Sequence, residues 1–437
     1  MQETLSHYFG YKSFRPGQEE IITKILNHQH TLGVLPTGGG KSICYQVPGL
    51  MQGGTTIVIS PLISLMKDQV DQLQAMGIQA AYLNSSLTHK QQKEIEERIK
   101  RGAIQFLYVA PERFENTFFL NLLRKIKIPL IAFDEAHCIS KWGHDFRPSY
   151  QSVIQKVFTL PQSFTIVALT ATATAEVQQD IMSKLSIGQN DVVKTSTKRR
   201  NLIFKVNPTY QRQKFVVDYV ANHEGQAGII YCSTRKQVEE LHEALNSEKI
   251  KSTIYHAGLT NKERIEAQND FLYDRVEVVI ATNAFGMGID KSNVRYVIHY
   301  NMPGDLESYY QEAGRAGRDG LKSECILLFS ERDKGLHEYF ITVSQADDDY
   351  KDKMGEKLTK MIQYTKTKKC LEATIVHYFE PNENLEECNQ CSNCIQENKT
   401  YDMTREAKMI ISCIARMKQQ ESYSVIIQVL RGEVTDY

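Results

Sequence analysis

The chain has no surplus of either charge: its 52 Lys and Arg balance its 52 Asp and Glu. A global positive field is therefore not available to attract nucleic acid, and any such binding must come from local grooves. No apolar run approaches the roughly 18 to 20 residues of a membrane-spanning helix. The opening residues, MQETLSHYFG, also lack the basic and apolar blocks of a signal peptide. A cytoplasmic protein without a membrane role is expected, nucleoid-associated in a bacterium or nuclear where there is a nucleus. Repeats and low-complexity tracts are missing too, so nothing of that kind points to a protein partner, and a monomer is expected. Nine cysteines, an odd number without a secretion signal, argue against a disulfide framework. Tryptophan is nearly absent, Trp142 being the only one.

What is present is ordinary globular material, 41% hydrophobic and 24% charged, in 437 residues that suggest two or three domains. The stretch Ile131 to Tyr150, IAFDEAHCISKWGHDFRPSY, is the densest in chemistry. A short apolar strand from Leu130 to Phe133 ends in Asp134 and Glu135, where a buried parallel strand delivers side chains to the sheet edge. There an Asp can hold the Mg²⁺ that bridges β- and γ-phosphates, and the next Glu can orient or deprotonate a water. An acidic pair simply closing a strand is the alternative. Trp142, His144, Phe146 and Arg147 come next, aromatic faces and a guanidinium of the kind that single-stranded bases stack on. The same residues also suit a loop pinned by its own hydrophobic side chains, and local sequence does not choose.

A phosphate loop should accompany such an acidic strand. An aromatic turn and an amphipathic helix starting near Pro16 lead to a strand at Thr31 to Leu35, then to PTGGGKS and a helix from Ile43. Thr37, Gly38, Gly39 and Gly40 form a loop whose glycines allow positive φ, so backbone amides can close on an anion at a helix N-terminus. Lys41 is placed to reach the β- and γ-phosphates and Ser42 to ligate Mg²⁺, although Leu35 stands where the strict pattern has its first Gly.

TTIVIS, QFLYVA, PLIAFD and FTIVALT alternate with helical spacing, as a doubly wound parallel sheet requires. A polar, basic stretch from Thr195 to Pro208 reads as a domain boundary. Four more strand candidates lie beyond it, in GIIYCSTRKQVEEL, STIYHAG, EVVIATNAFGMGID and VRYVIHYNMP, with no second phosphate loop. In SYYQEAGRAGRDG, Arg315 and Arg318 would share one helix face with Gln311 a turn earlier, a clamp for a γ-phosphate or simply a solvated basic face. Residues 345–369 read as helical. Cys370, Cys388, Cys391 and Cys394 then supply four thiolates with a CNQCSNC knuckle, the signature of one structural Zn²⁺ with no open catalytic position. Cys44, Cys138, Cys232, Cys325 and Cys413 read as packed core thiols. MTREAKMIISCIARM and VIIQVLRG are two further apolar elements.

Assembled, these motifs resemble the RecQ family of superfamily 2 DNA helicases from about Tyr8 onward. The resemblance implies an α/β fold of two tandem RecA-like domains with parallel sheets, a small helical zinc-binding subdomain and the start of a winged helix. Boundaries are expected at 1–200, 201–343, 344–400 and 401–437. It implies that Tyr11, Arg15 and Gln18 surround adenine, that Lys41, Ser42, Asp134 and Glu135 serve ATP, Mg²⁺ and water, and that Trp142, His144, Phe146 and Arg147 sense single-stranded DNA. ALTATAT, from Ala168 to Thr174, would couple hydrolysis to DNA movement, and Gln311, Arg315 and Arg318 would complete the catalytic set, with Arg318 as the finger. Lys141 departs from the family's usual Gln. The implied activity is ATP-driven, 3′ to 5′ translocation on single-stranded DNA and unwinding of partly duplex DNA in recombination and repair. The alternatives are a DNA-stimulated ATPase with weak unwinding, an RNA helicase, and a non-catalytic zinc-containing DNA-binding protein.

Overall fold

The structure, a computed structural model, describes the chain except residues 62, 85–86, 144, 286–290, 384–385, 396–402, 418–421 and 433–437 and the side chains of residues 63–64. It divides into two compact units, Met1–Cys394 and Ile395–Tyr437. Among the described residues no helix is long and apolar enough to cross a membrane.

The first unit is built on two parallel sheets. One contains β1 (Thr31–Val34), β2 (Thr56–Ile59), β3 (Ala80–Leu83), β4 (Phe106–Val109), β5 (Leu130–Phe133), β6 (Thr165–Thr170) and β7 (Val192–Lys194), in the order β3-β4-β2-β5-β6-β1-β7. The other contains β8 (Leu202–Pro208), β9 (Ala227–Tyr231), β10 (Ser252–Tyr255), β11 (Val278–Ala281), β12 (Val294–His299) and β13 (Ser323–Phe329), in the order β10-β11-β9-β12-β13-β8. Helices cover both faces, which is why the central strands are apolar throughout instead of alternating. Along β2, Ile57 and Ile59 enter one core cluster and Val58 the other; Ile229 and Ile230 divide in the same way across the second sheet.

All nine expected strands are present, and the structure adds β3, β7, β8 and β13. One expected boundary is therefore half strand: Leu202–Pro208 pairs in parallel with Ser323–Phe329 as the edge of the second sheet. Its buried residues, Leu202 and Phe204, alternate with less buried neighbours, and the polar, basic residues that suggest a boundary lie just before the strand, at 195–201.

After β13, helices Glu331–Val343, Asp348–Lys366 and Leu371–Phe379 lead into the cysteine knuckle. Leu358, Met361, Tyr364, Cys370, Ile375, Phe379 and Cys391 extend the core on one face of the second sheet. Cys44, Cys138, Cys232 and Cys325 are buried as expected, but Cys413 is only half-buried. It lies in the second unit, where helices Thr404–Arg416 and Tyr423–Arg431 are too short to enclose it.

Candidate nucleotide-binding and active site

Strand order explains why distant motifs meet. β5, β6 and β1 are neighbours, so the loops leaving these strands emerge at one sheet edge. Leu35 N–H donates to the Thr170 carbonyl at 3.0 Å and Asp134 N–H to the Ile59 carbonyl at 2.9 Å, fixing the phosphate loop and the acidic pair in register. The cleft that results, about 390 Å³, is lined by Tyr11, Arg15, Gln18, Thr37, Gly38, Gly40, Lys41, Ser42, Asp134 and Glu135 from the first sheet's side. Gln311, Arg315 and Arg318 line it from the second. Ser13, Leu65, Gln69, Ala171 and Ser292 also border it; Ser13 lies within the opening stretch FGYKSFRPGQ and Ala171 within ALTATAT, whereas Leu65, Gln69 and Ser292 belong to no motif that sequence reasoning singled out.

Gly39 does not line the cleft. Its N–H turns back to the Pro36 carbonyl at 2.8 Å and its own carbonyl accepts from Gln18 Nε2 at 3.2 Å. Gln18 Nε2 also reaches the Gly40 carbonyl at 3.0 Å, and Arg15 Nη1 donates to the Gly38 carbonyl. Two of the three expected adenine-side residues, Arg15 and Gln18, thus brace the phosphate loop. At Gly40, φ is +73°, which favours glycine, and a Cβ there would also push aside Gln18 Nε2, the atom that braces the loop. Among the described residues no backbone acceptor is found for the N–H groups of Gly40, Lys41 and Ser42. Three such amides beside a lysine, at the N-terminus of helix Ile43–Gln52, suit a polyphosphate.

Asp134 is 8% exposed, and Tyr150 Oη donates to its carbonyl oxygen at 3.0 Å. Burial, and then the adjacent Glu135 carboxylate, push Asp134 up to about 7, while Lys41 pulls it down. Such a carboxylate gains from a cation more than a solvated one does, so Asp134 and Ser42 fit Mg²⁺ by chemistry and position. Glu135 has left-handed backbone angles, φ 48° and ψ 49°, which cost a non-glycine residue about 1 kcal/mol or more. Strain of that kind turns the Glu135 side chain into the cleft. His137, buried next to it, lies 3.4 Å from Glu135 Oε2 and 3.1 Å from Thr170 Oγ1. A continuous contact thus joins the acidic pair to the ALTATAT segment.

Arg315 and Arg318 do not share a helix face. The helix Leu306–Ala313 ends at Gly314, and positive φ at Gly317 and Gly320 carries the chain through successive turns. Both arginines still reach the cleft, and Arg315 is buried with its Nε unpartnered among the described residues.

None of the described residues of the aromatic loop lines the cleft. Trp142 lies on the first sheet's core, with the ammonium groups of Lys141 and Lys353 at 5.4 and 5.9 Å from its ring centroid. Lys141, the departure from the usual Gln, also pairs with Asp347 at 2.8 Å. Lys357 Nζ donates to the Trp142 carbonyl at 2.8 Å and pairs with Glu307 at 3.0 Å. Arg147 holds Asp145 and donates to the Pro61 carbonyl at 2.8 Å, Phe146 is half-buried, and His144 lies outside the described residues.

The four Sγ atoms of Cys370, Cys388, Cys391 and Cys394 lie within 4.8 Å of one another. Backbone N–H groups of Leu371, Cys388 and Cys391 donate to sulfur at 3.3 Å, an arrangement that favours thiolates, and the set fits a tetrahedral Zn²⁺.

Family comparisons agree with this geometry. The DEAD/DEAH box helicase model matches residues 15–181, the helicase conserved C-terminal domain 211–320, RecQ zinc-binding 331–395 and the RQC domain 397–437. The ATP-dependent DNA helicase RecQ of Bacillus subtilis (strain 168) is 48% identical over 99% of this chain and 73% of its own length. This chain belongs to the RecQ family of ATP-dependent DNA helicases. The Haemophilus influenzae RecQ is 42% identical over 98% of the chain and 69% of its own length. Among solved structures, S. cerevisiae Dbp5 bound to RNA and ADP BeF3 aligns with TM-score 0.62 at 19% identity, over 82% of this chain and 97% of that one. Mycobacterium smegmatis helicase Lhr bound to ssDNA and AMP-PNP aligns with TM-score 0.60 at 16% identity, over 84% of this chain and 57% of that one. At those identities the likeness is one of fold, two parallel-sheet lobes in tandem.

Proposed function

We propose that this RecQ-family chain uses ATP to move 3′ to 5′ on single-stranded DNA as a monomer and so unwinds partly duplex DNA in recombination and repair. The observation that carries the reading is the single cleft into which one lobe brings a phosphate loop and two carboxylates, and the other brings Gln311 and two arginines. Tyr11, Arg15 and Gln18 take the adenine side. The amides of Gly40 to Ser42 and the Lys41 ammonium hold the β- and γ-phosphates. Ser42 and Asp134 would hold Mg²⁺, which when bound neutralises charge across the phosphate oxygens. Glu135 orients the attacking water and accepts its proton. Arg315 and Arg318 meet the charge that develops on the γ-phosphate, so ATP favours a closed cleft and hydrolysis releases it. The four clustered cysteines would hold Zn²⁺ as a structural ion. Trp142, His144, Phe146 and Arg147 would report bound DNA to the acidic pair, Arg147 N–H donating to the carbonyl of Cys138, the neighbour of His137, at 3.1 Å.

Steady-state ATPase with and without single-stranded DNA, on the wild type and Trp142→Ala, tests the coupling. The variant is expected to keep its basal rate and lose most of the stimulation; equal rates under all four conditions would reject a sensor. Polarity is tested with duplexes carrying a 3′ or a 5′ overhang, of which only the 3′ substrate should release a strand. Stimulation without strand release on either substrate would mark a translocase, and stronger stimulation by RNA than by matched DNA would reverse the choice of nucleic acid.

A further inference from the structure

Arg199 lies in the connection from β7 to β8, and its guanidinium is shared between the two lobes. Nη1 donates to the Thr37 carbonyl at 2.7 Å and, at 3.5 Å, toward Gly314. Nη2 donates to the carbonyls of Ala316 at 3.1 Å and Gly317 at 3.0 Å, and Nε to Asn201 Oδ1 at 3.3 Å. All five N–H donors of the fork are therefore committed, and every acceptor is a neutral oxygen. Thr37 belongs to the phosphate loop, whereas Gly314 to Gly317 is the turn that carries Arg315 and leads into Arg318. The lobes touch at this point, where a Cβ on Gly314 would lie 3.1 Å from Thr37 Oγ1.

The connection is itself held from a third side. Gln390, in the cysteine knuckle, donates to the Arg200 carbonyl at 2.9 Å, and Glu380 accepts from Thr197 N–H at 2.9 Å. Asn201 Nδ2 adds bonds to the Gly317 and Leu321 carbonyls at 2.8 and 3.0 Å. A planar guanidinium can address carbonyls on two sides at once, which a point-charge ammonium does poorly.

We infer that Arg199 is a positioning residue for hydrolysis: it staples the phosphate loop to the arginine-bearing turn and so sets where Arg315 and Arg318 stand against the γ-phosphate. The inference rests on the role proposed above for Arg318. Arg199 touches no reacting atom in this scheme and acts only through the arginines it aligns.

The test is a double-mutant cycle in the full chain, with kcat at saturating single-stranded DNA, affinity for a non-hydrolysable ATP analogue, and thermal unfolding measured together. Arg199→Met is expected to lower kcat by about ten- to a hundredfold, the usual effect of misplacing reacting groups by about an ångström. Analogue affinity should stay within about threefold, because the amides and Lys41 are untouched. In the Arg318→Ala background the same change should cost about threefold or less, since the residue through which it acts is gone. Should Arg199→Met fail to fold, Arg199→Lys takes its place in the cycle, with a smaller loss in the same pattern. An equal penalty in both backgrounds, or wild-type kcat in a folded Arg199 variant, overturns the inference while leaving the role of Arg318 intact. Full activity in Arg318→Ala alone overturns both.

Discussion

The surroundings of Asp134 oppose its ionisation. Burial raises its pKa from 3.8 to about 7, so the folded protein binds this proton more tightly than the unfolded chain. Its contribution to stability therefore falls as pH rises from about 4 to about 7. A cation that needs the carboxylate must displace the proton below that upper limit. Titration calorimetry of Mg²⁺ with an ATP analogue, in two buffers of different ionisation enthalpy, is expected to show proton release at about pH 6 and almost none at about pH 8. Asp134→Asn should abolish the difference, and its persistence there would assign the proton to another group. For Arg318→Ala, kcat is expected to fall by about a thousandfold with little change in KM for ATP, the signature of a contact made in the transition state.

Helix Asp348–Lys366 carries a second kind of dependence, because it ties the aromatic loop to the helix bearing Gln311. Lys357 and Glu307 are only 5% and 4% exposed, and Lys357 also holds the Trp142 carbonyl. Breaking a buried pair strands a charge, so Lys357→Met is expected to cost about 3–5 kcal/mol in urea denaturation. Lys357→Met with Glu307→Gln should recover much of that loss; a double variant as unstable as the single one would mean that packing, not charge, dominates. Both variants should respond to DNA less steeply than the wild type, since the loop has lost an anchor. Much at this scale is legible in the sequence and some is not, for physical reasons. β1, β2, β4, β5 and β6 are buried on both faces and read as apolar runs bounded by turn residues. Ala80–Leu83 and Val192–Lys194 are short strands at the sheet's two edges, and β8 follows directly on the polar, basic residues 195–201, so pairing is what identifies them. The arginine turn arises from glycines whose helix-ending effect a three-residue spacing conceals. Arg199 carries no motif at all, since its acceptors are mainly backbone carbonyls that any sequence provides.

Across the whole molecule, the cysteine cluster is part of the second sheet's core, because Cys370 and Cys391 sit in the same apolar cluster as Leu327 and Tyr309. Removing Zn²⁺ by chelation is accordingly expected to lower the unfolding temperature by about 5 °C or more. Hydrogen exchange should lose protection first in helices Asp348–Lys366 and Leu371–Phe379, and β1 to β6 should be spared. Loss spread evenly over both sheets would contradict that order. The two lobes themselves are joined covalently by residues 195–201, which span roughly 25 Å when fully extended. A tether of that reach keeps the arginines near the phosphate loop at an effective concentration on the order of millimolar. Reclosing of an opened cleft is then a first-order event, indifferent to dilution. The same tether also caps how far the lobes can separate in any one turnover, so the excursion of the open cleft is bounded by a length of chain as well as by the chemistry that drives it.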